Sequence, residues 1–144
     1  MSFIKIWVHV VWPTKNRYPY LTKSIREKLI YHIIENADEK GIHVNFINGY
    51  NDHLHLLISM NSNQSIGEIV HCIKGESSHW INKNNITEVK FAWQPEYYAA
   101  AIGQQQIEIV RNYIKCQEEH HRNKTFDEEI EEFIKENNIS NTGF

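Results

Sequence analysis

The sequence predicts an α+β fold: a ferredoxin-like βαββαβ sandwich, in which a four-stranded antiparallel sheet carries helices on one face and further helices follow at the C-terminus. Three observations predict it. Short segments with period-two apolar alternation or continuous apolar character occur four times, and two longer segments between them carry apolar residues at helical spacing. The order strand, helix, strand, strand, helix, strand is that of the split βαβ arrangement. A chain of 144 residues that is 41% hydrophobic and 23% charged can bury one core as one domain.

Residues 3–12 form the first strand, with Ile4, Ile6, Val8, Val10 and Trp12 on one side and Lys5, Trp7, His9 and Val11 on the other. Pro13 and the polar stretch TKNRYP end it. Thr22 caps a helix to about Lys40, with Ile25, Leu29, Ile33 and Ala37 on one face and Gly41 as its stop. Residues 42–50 and 53–60 are two strands joined by a tight turn at Asn51-Asp52. Ser65 caps a helix to about Asn82, where Ile66, Ile69, Val70, Ile73 and Trp80 recur at helical spacing and Gly75 weakens the middle. After the loop NKNNITE, residues 90–102 hold a fourth strand, broken or bulged near Pro95. Residues 104–121 form a helix with Ile107, Val110 and Ile114 on one stripe. Thr125 to Glu128 is a capping box that opens an acidic helix, about 126–136, and 137–144 is a frayed tail. The expected organisation is one domain over 1–144, with its core at about 3–121.

Composition excludes several classes. No apolar run approaches the roughly 18 residues of a membrane span. The start MSFIKIWVHVVW alternates and lacks both a basic region and a cleavage site, so it is a strand rather than a signal segment. Cys72 and Cys116 have no CxxC spacing and sit in helices, which predicts reduced thiols and a cytoplasmic protein. The net charge of −3 is unevenly spread: residues 1–90 carry 10 Lys and Arg against 8 Asp and Glu, and residues 91–144 carry 5 against 10. Most of the acid lies between Asp127 and Glu136, which leaves room for a basic surface on the first ninety residues.

The sharpest chemical feature is Asp52-His53-Leu54-His55-Leu56-Leu57-Ile58. On a strand Leu54, Leu56 and Ile58 point into the core, while His53 and His55 share the opposite face, close enough to bind one metal ion. The plain alternative is two half-exposed histidines on an open strand face. The second feature is Tyr113 with Gln117, at i and i+4 of a helix and so on one side of it. A tyrosine can act as a covalent nucleophile, but its ordinary pKa of about 10 requires help from a metal or a base. The plain alternative is a packing tyrosine at a helix edge.

The run DHLHLLI resembles the His-hydrophobic-His (HUH) motif of relaxases, rolling-circle initiators and small transposases. Together with VHVVWPTKNRYPYL, IGEIVHCIKGESSHWI, FAWQPEYYAAAIG, VRNYIKCQ and HHRNKTF in order, the chain from residue 3 to 136 resembles the single-tyrosine, IS200-like transposases of minimal bacterial insertion sequences. The resemblance implies a ferredoxin-like sandwich and His53, His55 and Gln117 as ligands of a divalent metal, Mg or Mn. It implies Tyr113 as the nucleophile that forms a 5′-phosphotyrosine with single-stranded DNA. It further implies a homodimer that recognises hairpins near element ends. Lys5, Lys15, Arg17 and Lys74 are the candidate DNA-backbone contacts, and Trp12, Trp80 and Trp93 are candidates either for stacking on bases or for the core. Asn51 stands where a proline is common in the family, and His79 where an arginine is common.

Two other classes compete. One is a domesticated, non-catalytic DNA-binding regulator. The other is a small metal hydrolase using the histidine pair, which needs a third ligand from His9, His43, His71 or His79.

Overall fold

A computed structural model describes residues 3–122 and 124–137. Strand β1 (Ile6–Pro13), helix α1 (Lys23–Glu39), strands β2 (His43–Tyr50) and β3 (His53–Met60), helix α2 (Ile66–Lys83) and strand β4 (Tyr98–Ile102) follow in the predicted order. The strands make one sheet in the order β2-β3-β1-β4, with every neighbouring pair antiparallel. Three further helices follow: α3 (Ile107–Lys115), α4 (Gln117–His120) and α5 (Phe126–Glu136).

The alternation read in β1 and β3 divides the sheet into two faces. Val8, Val10, Trp12, Leu54, Leu56 and Ile58 pack beneath α1 and α2 against Leu29, Ile33, Ala37, Ile69, Val70, Ile73 and Ile81. Val11 and Leu57 lie on the other face, under Phe126, Ile130 and Phe133 of α5 and Ile107 and Ile114 of α3. Neither face is open. No described helix is long and apolar enough to cross a membrane.

Three of the four local end signals hold. Ser65 Oγ accepts the Glu68 amide at the start of α2, the Thr125–Glu128 capping box opens α5, and Gly41 takes the left-handed conformation after α1, with φ 72°. Thr22 occupies the cap position of α1, but its hydroxyl makes no capping bond.

Three expectations are corrected. The first strand begins at Ile6 rather than residue 3. The fourth is confined to Tyr98–Ile102, because Phe91 and Trp93 turn down into the core. Lys74 Nζ donates to the carbonyl oxygens of Gln94 (2.5 Å) and Pro95 (3.1 Å) in the segment between. The single helix over 104–121 is instead a 3-10 turn at Gln104–Gln106 followed by α3 and α4, which part at Cys116 (φ −96°, ψ 29°). Of the tail, Asn137 is the C-cap of α5 and 138–144 lie outside the described residues.

Two glycines make opposite predictions. A Cβ on Gly49 in β2 would collide with the His53 carbonyl and with Leu54, whereas one on Gly75 in α2 would meet nothing within 4 Å. Gly49→Ala should therefore force the β2–β3 hairpin apart and cost about 1–3 kcal/mol. Gly75→Ala should stabilise the protein by about 0.5–1 kcal/mol through helix propensity. Urea denaturation of both variants checks the pair, and a neutral Gly49→Ala would contradict the hairpin packing.

Candidate functional site

The face of the sheet beneath α3, α4 and α5 carries the histidines. On β3, His53 and His55 sit on the side opposite Leu54 and Leu56, as alternation requires. They are not half-exposed: they are 0% and 1% exposed. Helix α5 accounts for this, since Phe126, Ile130 and Phe133 pack it against Val11, Tyr98 and Ala100. Helix α5 also places one acid among those apolar residues. Glu129 is 2% exposed and points at the two histidines.

Five side chains meet on that carboxylate. His55 Nε2 lies 2.5 Å from Glu129 Oε1 and His53 Nε2 lies 3.4 Å from Oε2. His121 Nε2 also contacts Oε2. Tyr113 Oη donates to Oε1 at 2.6 Å, and Gln117 Nε2 donates to it at 3.3 Å. Gln117 Oε1 in turn lies 3.0 Å from His53 Nε2. The break at Cys116 makes this possible: it ends α3 two residues after Tyr113 and restarts the helix at Gln117, which is fully buried.

Each imidazole is held from behind. His53 Nδ1 lies 2.7 Å from Asp52 Oδ1, His121 Nδ1 lies 2.8 Å from the Lys124 carbonyl, and His55 Nδ1 lies 2.9 Å from His9 Nε2. All three Nε2 atoms are thereby turned inward, the arrangement in which a partner on one ring nitrogen orients the other toward a ligand.

Burial and charge set the protonation states. Burial would push His53 down, but its hydrogen bonds to Asp52 and Glu129 outweigh this and hold it up, at about 9. Burial dominates at His55 and takes it down to about 4. Burial and the neighbouring His55 take His9 to about 3. Glu129 would rise on burial, but its bonds to His121, His53 and His55 hold it far below the usual carboxylate range. Burial and the Glu129 charge push the Tyr113 phenol well above its ordinary value.

The donor set fits a divalent metal ion. His53, His55 and Glu129 each offer a ligand atom within 4.8 Å of the others. His55 Nε2, His121 Nε2 and Glu129 Oε2 are buried and converge on one point of the site, as the ligand atoms of a cation would. Imidazole and carboxylate together suit a first-row or alkaline-earth ion.

The sequence pointed to His53, His55, Tyr113 and Gln117, and the structure brings all four together. It missed Glu129 and His121. Glu129 had one available signal: it is the acid flanked by Phe126, Ile130 and Phe133 at i−3, i+1 and i+4 on a helix. The third-ligand candidates fall away. His43, His71 and His79 are exposed on other elements, and His9 turns its Nε2 to His55. Trp12 and Trp93 are buried in the core, and Trp80 stacks on His32, so base stacking is closed to the first two. Of the candidate DNA contacts, Lys5 and Lys15 are exposed, Arg17 pairs with Asp127, and Lys74 is committed to the 94–96 segment.

The profile of the family described as "Transposase IS200 like" matches residues 2–117. The ISDra2 transposase TnpA of Deinococcus radiodurans is 25% identical over 114 residues, covering 76% of this chain and 81% of that protein. Two solved structures share the fold. A Deinococcus radiodurans R1 protein described as a transposase superposes with a TM-score of 0.65 at 21% identity, covering 81% of this chain and 93% of its own. A REP-associated tyrosine transposase bound to a REP hairpin gives 0.64 at 18%, covering 84% and 72%. The profile spans well over half the chain, including the histidine pair, the tyrosine and the glutamine. The chain belongs to the IS200-like transposase family and is an enzyme that cleaves DNA and transfers its strands.

Proposed function

We propose that this transposase cuts and rejoins single-stranded, hairpin-bearing DNA at the ends of an insertion sequence through a 5′-phosphotyrosine on Tyr113. A divalent ion, Mg or Mn, would be held by His53, His55 and Gln117 together with Glu129. One observation carries the reading: Tyr113 Oη and the two histidines of β3 meet on a single carboxylate within one chain. Nucleophile and metal donors thus share one buried centre. The relative that is bound to a REP hairpin supports DNA hairpins as the ligand class.

The chemistry assigns each residue a task. Tyr113 Oη attacks the scissile phosphorus; the Oη–P bond forms, the P–O3′ bond breaks, and the phenolic proton ends on the departing 3′-oxygen. The phosphotyrosine conserves the energy of the broken bond, so a 3′-hydroxyl from another end can reverse the step and join strands. A divalent ion at the site supplies charge neutralisation and polarises the phosphate. Asp52 holds His53 in place, and Gln117 contributes a neutral oxygen that adds no further negative charge near the phosphate.

The geometry also describes a closed site. Glu129 fills the space in front of Tyr113 Oη, and burial together with the Glu129 charge raises the phenol above its ordinary value. Tyr113 borders a cavity of about 380 Å³, and a phosphate takes the place of the Glu129 carboxylate at Tyr113 Oη when α5 shifts aside. Lys5, Lys15 and Arg17 are the backbone contacts of this reading, Arg17 once released from Asp127, with Lys74 shaping the 94–96 segment instead. We take 1–144 as one catalytic domain. The edge strand β4, paired on one side to β1, can pair with a second copy in a homodimer.

Tyr113→Phe deletes one oxygen and leaves the ring packed on Leu57, Ile107 and Ile114. It should fold and bind hairpin DNA as wild type does yet form no covalent protein–DNA adduct, and the wild-type adduct should map to Tyr113 by peptide mass spectrometry. An adduct formed by the Phe variant would remove Tyr113 from the mechanism. His53→Ala should reduce Mg- or Mn-dependent nicking by roughly 100-fold or more while sparing DNA binding, as measured on a labelled single strand. Light scattering at micromolar concentration should give twice the 17.1 kDa chain mass, and a monomer mass would count against the dimer.

A further inference from the structure

We propose that His9 is a positioning residue of the metal centre: its Nε2 accepts the Nδ1 hydrogen of His55 and so fixes the tautomer in which His55 turns its Nε2 lone pair toward the ion. The proposal rests on the metal reading above and extends it to a residue that the ligand set does not include.

The need for such a residue follows from tautomer chemistry. A neutral imidazole carries one ring hydrogen, and the nitrogen that carries it cannot be a ligand. His53 and His121 have no choice of orientation. Their Nδ1 atoms face the Asp52 carboxylate and the Lys124 carbonyl, which can only accept, so the hydrogen sits on Nδ1 and Nε2 is turned to the centre. His55 differs, because its partner is another imidazole that can either donate or accept. If His9 Nε2 donates, His55 carries its hydrogen on Nε2, aimed at Glu129, and is not a ligand. If His9 Nε2 accepts, His55 Nε2 is free. The tautomers of the two rings move together, with no change in the number of protons held.

The surroundings of His9 hold it in register. In the pairing of β1 with β3, His9 lies opposite Leu57 and Val11 opposite His55, which places the two rings diagonally on one face. They stack with centroids 5.2 Å apart at 27°. Phe133 of α5 meets His9 edge-on at 5.2 Å, and Tyr113 does so at 6.3 Å. His9 also lines a cavity of about 380 Å³ whose walls include the polar side chains of Gln106, Glu132 and Asn137.

The test uses the full chain and Mn²⁺ as the probe. His9→Phe keeps a ring against Phe133 and deletes the acceptor, whereas His9→Gln keeps an acceptor oxygen at similar reach. Binding of Mn²⁺ without DNA, followed by electron paramagnetic resonance, should weaken about 10–100-fold in His9→Phe and return to within a few-fold of wild type in His9→Gln. Long-range ¹H–¹⁵N spectra of the wild-type protein with Mg²⁺ should show His55 protonated on Nδ1 and His9 unprotonated on Nε2, a result that needs no variant to fold. The opposite tautomers, wild-type affinity in His9→Phe, or equal loss in both variants would overturn the proposal. A wild-type protein that binds no Mn²⁺ would fail the metal reading first and the proposal with it.

Discussion

An ionised carboxylate is tolerated in a protein interior only when charged or hydrogen-bonding groups compensate the loss of water. Glu129 meets that condition through five side chains drawn from β3, α3, α4 and the turn after it, and much of the rest of the molecule can be understood from it. Helix α5 must lie over the sheet for the carboxylate to reach its partners. The sheet face must carry histidines rather than aliphatic residues at 53 and 55. The helix that begins at Ile107 must break at Cys116 so that Tyr113 and Gln117 both arrive at the same oxygen. Each imidazole lost from this set would leave the carboxylate less well compensated, whereas the phenol is one neutral donor among several.

The sheet was legible because its signals are local and periodic. Alternation in IWVHVV and HLHLLI places Val8, Val10, Leu54 and Leu56 on one side and His9, His53 and His55 on the other, and no tertiary contact is needed to read it. The centre was half legible for the same reason. His53 and His55 announce themselves two apart on a strand, and Tyr113 and Gln117 four apart in a helical segment, although the segment is two helices. That break has no glycine or proline to mark it. It is set by burial of Gln117 against His53, a long-range contact that propensity does not encode.

Glu129 and His121 were not legible as chemistry because the C-terminal part of the chain is rich in acids that composition treats alike. Only the faces of α5 separate them: Asp127, Glu128, Glu131 and Glu132 are exposed, and Glu129 lies between Phe126, Ile130 and Phe133. The fourth strand was over-extended for a related reason. Phe91 and Trp93 have strand-like composition, yet Trp93 packs edge-on against Trp12 and donates its Nε1 hydrogen to Ser77, so they serve the core rather than a ladder.

An enzyme that acts on DNA gains little from an acidic helix laid across Tyr113, the proposed nucleophile, unless the two can separate. The hold of α5 on the sheet comes from Phe126, Ile130 and Phe133 against Val11, Tyr98 and Ala100 and from the Glu129 contacts, which an incoming anion can take over. At about 1.5–3 kcal/mol for each large side chain buried, that is several kcal/mol. A few phosphate contacts and the relief of like charge between Glu129 and the incoming phosphodiester are of comparable size. The Arg17–Asp127 pair is exposed and adds little to the hold, but releasing it frees a guanidinium in the turn that follows β1, next to the start of α5. The proposed opening therefore exchanges one anion for another at the same donors. The carboxylate that accepts from Tyr113 and keeps the histidines paired gives way to the phosphate on which those groups act.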